Sequence, residues 1–243
     1  MKKVRSIVLL SLTICLAVSM SACGKVKPLT EGETTAPAAL VAPAATTAVE
    51  SPCAKVVQAS PSEHADAAVK SWTSPPAMSI DVNKTYCAVV QTSKGSFTLE
   101  LFAKDAPKTV NNFVFLAKNN FYDGIIFHRI IETFMIQTGD PTGTGRGGPG
   151  YKFEDELTSP YKYVEGIVAM ANSGPNTNGS QFFINTVDNT QNLGNLYSIF
   201  AKVAVGMDTV KKIAATPVEA GADGNISSPT EKVTIDSVQI VEL

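Results

Sequence analysis

The chain has 243 residues, 44% of them hydrophobic and 17% charged, enough for one good-sized core and too apolar for a chain disordered throughout. A formal charge of −2 lacks the basic excess on which nucleic-acid binding rests. Two histidines, His64 and His128, without cysteine or carboxylate at ligand spacing, argue against a metal site and leave a hydrolytic triad little to draw on.

Met1-Lys2-Lys3-Val4-Arg5 precedes an apolar run from Ile7 to Val18 and the small residues Ser19, Ser21 and Ala22, the order of a secretory signal. A membrane-spanning helix needs roughly 20 apolar residues. The run is shorter, so permanent spanning is the weaker reading. Met20-Ser21-Ala22-Cys23 resembles a bacterial lipobox, with Met20 where leucine is more usual, which predicts a signal peptide over 1–22 and lipidation at Cys23. The competing reading is plain secretion with Cys23 incidental. Each buried methylene adds about 0.8 kcal/mol of membrane affinity, so a multiply acylated Cys23 would be a stable anchor in the cell envelope, on a periplasmic or extracytoplasmic face. Gly24, rather than aspartate, favours the outer membrane of a two-membrane cell. Cleavage removes Lys2, Lys3, Arg5 and Cys15, leaving 17 basic against 22 acidic side chains and a net charge of −5. With Cys23 acylated, Cys53 and Cys87 remain, either as a disulfide stapling the N-terminal segment to the first strand or as two thiols.

From Gly24 to Ser51 the chain is rich in Ala, Pro and Thr, so 23–81 reads as a tether, with a weak helical pattern at His64–Val69 closed by Ser74-Pro75-Pro76. The folded domain is placed at 82–243. Phe97, Leu99 and Leu101 alternate with polar residues after a Lys94-Gly95 turn, the pattern of a half-buried hairpin strand. Pro107 suits a first helical turn, and Val110, Phe113, Val114 and Ala117 form one apolar stripe. β-rich runs follow at 125–137, 166–171, 181–187 and 199–205, then a helix at 207–214 and a closing strand with Val233, Ile235, Val238 and Ile240. Many short strands with two helices predict a mainly β fold, an antiparallel barrel capped by helices.

Along 127–140, strict alternation would put Arg129, Ile131, Thr133, Met135 and Gln137 on one face. A polar pair among apolar neighbours is either a satisfied core network or a binding floor. The amide-rich turn at 172–181 adds to the second reading. Gly143-Thr144-Gly145-Arg146-Gly147-Gly148 fits G-x-G-x-x-G, but Pro149-Gly150 follows it where a nucleotide site needs a helix.

Phe127-His128-Arg129, Phe134-Met135-Ile136-Gln137, Gly139-Asp140-Pro141-Thr142-Gly143 and Asn176-Thr177-Asn178-Gly179-Ser180-Gln181-Phe182-Phe183 strongly resemble the hallmark runs of the cyclophilins, over roughly Tyr86 to Leu243. The resemblance implies an eight-stranded antiparallel barrel with two helices and prolyl cis/trans isomerase activity without a cofactor or metal. It implies a monomer acting on proline-containing polypeptide clients. By the same resemblance Arg129 is the catalytic arginine, with Gln137 and Asn172 holding the substrate backbone. Phe134, Met135, Phe183 and Leu193 form the proline pocket, Ala171 and Gln181 line the groove, and Tyr197 walls the pocket. Asn192 and Tyr197 depart from the family pattern, in which tryptophan or histidine often precedes the leucine and histidine precedes the next strand, so weak cyclosporin binding is expected. Two rival readings keep the fold without the turnover: a proline-peptide binding module or holdase, and an envelope scaffold with a vestigial groove.

Overall fold

The computed structural model describes residues 50–56 and 70–243. The expected signal peptide, the expected lipidation at Cys23, most of the expected tether and the helical pattern at His64–Val69 lie outside the described residues.

A short 3-10 turn, Pro52–Lys55, precedes β1 (Tyr86–Thr92), β2 (Gly95–Leu101), α1 (Pro107–Lys118), β3 (Arg129–Ile131), β4 (Met135–Thr138), β5 (Ile167–Met170), β6 (Phe182–Asn185), β7 (Ile199–Val205), α2 (Met207–Ala214), β8 (Val218–Ala220), β9 (Ile226–Pro229) and β10 (Ile235–Glu242). Eight strands make one curled sheet in the order β10-β1-β2-β7-β5-β6-β4-β3, every pair antiparallel. Its two edges are drawn together where Gly124 and Phe127 donate to the carbonyls of Ile235 and Val233 at 2.8 and 2.9 Å. This is the mainly β, eight-stranded, two-helix architecture expected. The β8–β9 hairpin is an addition that the sequence did not announce, because its three- and four-residue strands carry no apolar alternation.

Helix α1 has no capping side chain of its own at Ala106, and Pro107 opens it with the one backbone nitrogen that lacks a hydrogen. Glu156, far along the chain, supplies the cap: its carboxylate accepts from Lys108 N at 3.1 Å and from Thr109 N at 2.8 Å. A carboxylate suits the positive end of the helix dipole. The stripe Val110, Phe113, Val114 and Ala117 is buried as its spacing requires, against Phe97, Leu99, Phe182 and Phe200 in the main core.

The stretch 127–140 is a hairpin rather than one strand. The chain reverses at Glu132–Phe134, where Phe134 N donates to Ile131 O at 2.9 Å. Arg129 therefore faces Gln137 across the pair and Ile131 faces Met135, so those four share a surface by cross-strand register, while Thr133 sits in the turn and leaves it.

The domain also begins earlier than residue 82. Cys53 is bonded to Cys87 of β1, with Cα atoms 5.6 Å apart, and Ser51 Oγ donates to Glu100 of β2 at 2.6 Å. Trp72 packs its ring 5.1 Å from Phe115 and 5.9 Å from Phe121. These described parts of the Ala- and Pro-rich region are docked, because a disulfide and one indole supply the burial that its composition lacks.

Candidate active site

Strands β4, β6, β5 and β7 bury side chains on both faces. Inward lie Ile136, Phe182, Ile184, Val168, Met170 and Phe200. Outward lie Met135, Phe183, Ala169, Ile167 and Ile199, joined by Phe102 and Tyr163 in a second apolar cluster. Two of that set, Met135 and Phe183, open onto a cavity of about 210 Å³. Met135 and Phe183 form its base, and Phe134 and Leu193 its apolar walls. Arg129, Gln137 and Asn172 bring polar groups to the rim, with Ala171 and Tyr197 completing the lining. Of the side chains predicted from sequence, only Gln181 lies outside this cavity. It lines an adjoining groove of about 700 Å³ that shares Gln137, Ala171 and Asn172.

Each polar group is oriented by a second partner. Gln137 Nε2 donates to Gln181 Oε1 at 3.0 Å, and Gln181 Nε2 donates onward to Gly147 O at 2.8 Å. Asn172 Nδ2 donates to Leu196 O at 2.8 Å while its Oδ1 accepts from Gly174 N at 3.2 Å. The loop carrying Leu193 is pinned by Asn189, whose Nδ2 donates to Phe134 O at 2.7 Å and Asn185 Oδ1 at 2.8 Å. Phe183 meets Tyr197 edge-on at 5.4 Å. At the end of β4, Gly139 has φ +86°, and a Cβ there would lie 2.3 Å from Ser180 O, so only glycine lets β4 and the start of β6 close on each other.

The glycine-rich loop wraps a carboxylate of its own. Asp140 accepts from Thr142 N at 2.7 Å, Thr142 Oγ1 at 2.8 Å and Thr144 N at 3.1 Å. A Cβ on Gly147 would lie 2.0 Å from Asp140 Oδ1. Burial pushes the Asp140 carboxyl up, but the hydrogen bonds from Thr142, Gly147 and Gly145 outweigh it and hold it low. The loop's amides are thus committed to an internal anion, and its far side forms the wall of the adjoining groove.

Arg129 stands where the two strands of the β3–β4 hairpin meet the cavity. Its Nη1 lies 3.7 Å from Met135 Sδ and its guanidinium carbon 6.0 Å from the centre of the Phe134 ring. Its Nε donates to Asp223 Oδ2 at 2.7 Å. Sequence reasoning missed Asp223, which is 94 residues away in the β8–β9 turn. The only local signal was an Asp-Gly-Asn turn. His128, beside Arg129, keeps both ring nitrogens buried without a partner, and burial lowers its imidazole below the ordinary value.

Such a site can grip a small apolar ring, hold the flanking peptide by amide groups and aim a permanently charged donor at the ring. The family described as cyclophilin type peptidyl-prolyl cis-trans isomerase/CLD matches residues 87–240. The chain is 48% identical over 158 residues to peptidyl-prolyl cis-trans isomerase-like 1 of Gibberella zeae, covering 63% of this chain and 94% of that protein. It is 47% identical over 169 residues to probable peptidyl-prolyl cis-trans isomerase A of Mycobacterium leprae, covering 63% and 91%. A crystal structure of a cyclophilin type peptidyl-prolyl cis-trans isomerase of Cryptosporidium parvum, in the presence of the dipeptide Ala-Pro, aligns with a TM-score of 0.59 at 37% identity over 64% of this chain and 98% of that one.

Proposed function

The chain belongs to the cyclophilin-type peptidyl-prolyl cis-trans isomerase family, and from that premise we propose that it rotates X-Pro bonds in the Arg129 cavity, on proline-containing polypeptides exported to the cell envelope. The barrier to rotation is about 18–20 kcal/mol because amide resonance must be broken, and the uncatalysed change takes roughly 10–100 s. As the bond twists, the proline nitrogen recovers a lone pair that the planar amide does not offer. A donor aimed at that nitrogen stabilises the twisted state more than either planar one, which is the condition for catalysis. Arg129 remains protonated at every relevant pH and needs neither nucleophile nor base. Raising turnover from about 10⁻² to about 10³ s⁻¹ requires roughly 7 kcal/mol.

The observation that carries this reading is the placement of Nη1 of Arg129 against Met135, in a cavity that Phe134 and Phe183 also line. Gln137 and Asn172, each held by a fixed partner, clamp the flanking backbone so that one side of the bond turns. The test is cis/trans exchange of an Ala-Pro peptide followed by NMR with the full chain. Arg129→Ala is expected to lower kcat/KM by about 10²–10³-fold. Retained binding without acceleration in the native chain would instead establish a binding module, and absence of both a scaffold.

Export and anchoring rest on separate support. The N-terminal charge and apolar pattern suits a secretory signal, Cys23 follows a lipobox-like tripeptide, and the Cys53–Cys87 disulfide suits an oxidising compartment. Metabolic labelling with palmitate should mark the native chain and not Cys23→Ser, and the variant should leave the membrane fraction. An unlabelled native chain in the soluble fraction would reduce the reading to plain secretion.

A further inference from the structure

Arg129 reaches the cavity on a long side chain, and one edge of its planar head is already engaged. Nε donates to Asp223 Oδ2 at 2.7 Å, with the two side chains only 26% and 29% exposed. Asp223 is in turn held by its own hairpin. Ser227 Oγ donates to Oδ1 at 2.7 Å, Asn225 N to Oδ1 at 3.0 Å and Asn225 Nδ2 to Oδ2 at 3.1 Å. There is no slack beneath it: a Cβ on Gly221 would lie 2.5 Å from Ser227 Oγ and 2.9 Å from Asp223 Oδ1. Strand β9 packs against β3, so this hairpin is braced on the strand from which Arg129 projects.

We propose that Asp223 is a positioning residue for the isomerisation: by holding Nε it fixes the rotation of the guanidinium, so that the Nη edge faces the proline nitrogen. The inference rests on Arg129 acting as the donor described above. A free arginine side chain carries about 2 kcal/mol of rotamer entropy, part of which would be lost on every turnover without a standing partner. The carboxylate also offsets the arginine charge. That offset costs little here, because the nitrogen of the twisted bond is a neutral acceptor and responds to the direction of a hydrogen bond more than to net charge. Burial pushes the Asp223 carboxyl up, but hydrogen bonds from Arg129, Ser227 and Asn225 outweigh it and hold it well below the usual carboxylate range, so it remains an acceptor at neutral pH.

The experiment measures kcat and KM separately by NMR exchange of an Ala-Pro peptide, using the full chain, together with the ¹⁵N–¹H signal of Arg129 Nε. Asp223→Ala should lower kcat about tenfold and leave KM within about twofold, while the Nε–H signal loses its protection from solvent exchange. Asp223→Asn still offers an oxygen to Nε and should keep kcat within about threefold of the native value. Gly221→Ala, which touches neither Arg129 nor the cavity, should lower kcat by an intermediate factor and serves in place of Asp223→Ala if that hairpin fails to fold. Full kcat in Asp223→Ala with an unprotected Nε–H overturns the proposal, as does Asp223→Asn falling as far as Asp223→Ala. If Arg129→Ala keeps its turnover, the mechanism beneath the proposal fails instead, which is a separate result.

Discussion

Phe182 and Phe183 are neighbours on one strand, 0% and 4% exposed, and they do opposite jobs. Phe182 points inward, with ring centres 5.6 Å from Phe113, 5.7 Å from Tyr122 and 6.3 Å from Phe200. Phe183 points outward to Tyr197 and the cavity. Alternation along a strand sends successive side chains to opposite faces, and here both faces are apolar. One face is satisfied by the protein's own core. The other lines the cavity, where the proposed function places a ring from another chain. Further along the same sheet the protein covers its own surface, where Cys53 is bonded to Cys87 of β1 and the turn around it packs on β2 and β7. The pair of phenylalanines and the disulfide therefore separate what the fold needs from what the site needs.

The largest effect should come from Phe182→Ala, which empties a fully buried ring position and should cost about 4 kcal/mol, lowering Tm by about 10 °C in a thermal scan. Its peptide binding should survive in the folded fraction. Next is Cys53→Ser, which opens a loop of sequence separation 34 and should cost about 3 kcal/mol in urea unfolding, with kcat/KM unchanged. A loss of activity there would show that the two outer faces are coupled. Phe183→Ala should reverse the balance, lowering kcat/KM about 10- to 100-fold with less loss of stability than Phe182→Ala. Equal stability losses for the two would end the division between them. The smallest effect is expected at His128. Its folded imidazole is depressed by burial, so the unfolded chain binds the extra proton first. Its contribution to stability is complete above about pH 6.5 and is lost as the pH falls through the depressed value. Urea midpoints at pH 7.5 and 5.5 should differ in that direction, and His128→Phe should flatten the difference.

Much of this arrangement was legible in the residues. The stripe of α1 and the run at 199–205 were read directly, because an amphipathic period and a strand apolar but for Lys202 have local causes. The inward or outward assignment of Phe182 and Phe183 was not readable from periodicity, since a doubly apolar strand has no polar side to mark the surface. It came from the resemblance. The reversal at Glu132–Phe134 escaped because alternation continues in phase across the hairpin, so Arg129 and Gln137 share a face under either reading. Asp223 escaped for a different reason. Its partner is 94 residues away, and the turn that presents it is polar, short and without period. The docking of Trp72 was hidden by composition, where one large ring among Ser, Thr and Pro decides what an average would not.

The Cys53–Cys87 bond also fixes how the domain bears a load. Tension on the chain ahead of Ser51 would pass from Cys53 directly into Cys87 and bypass the loop between them, a covalent short circuit. The load then enters β1, a seven-residue strand laced to β10 on one side and β2 on the other. Strands held on both sides yield only when two ladders give way together. In the strand order, β2, β7 and β5 stand between this point of attachment and β6, β4 and β3, whose side chains line the cavity. A pull from the N-terminal side is therefore borne by the part of the sheet that puts no side chain into the cavity.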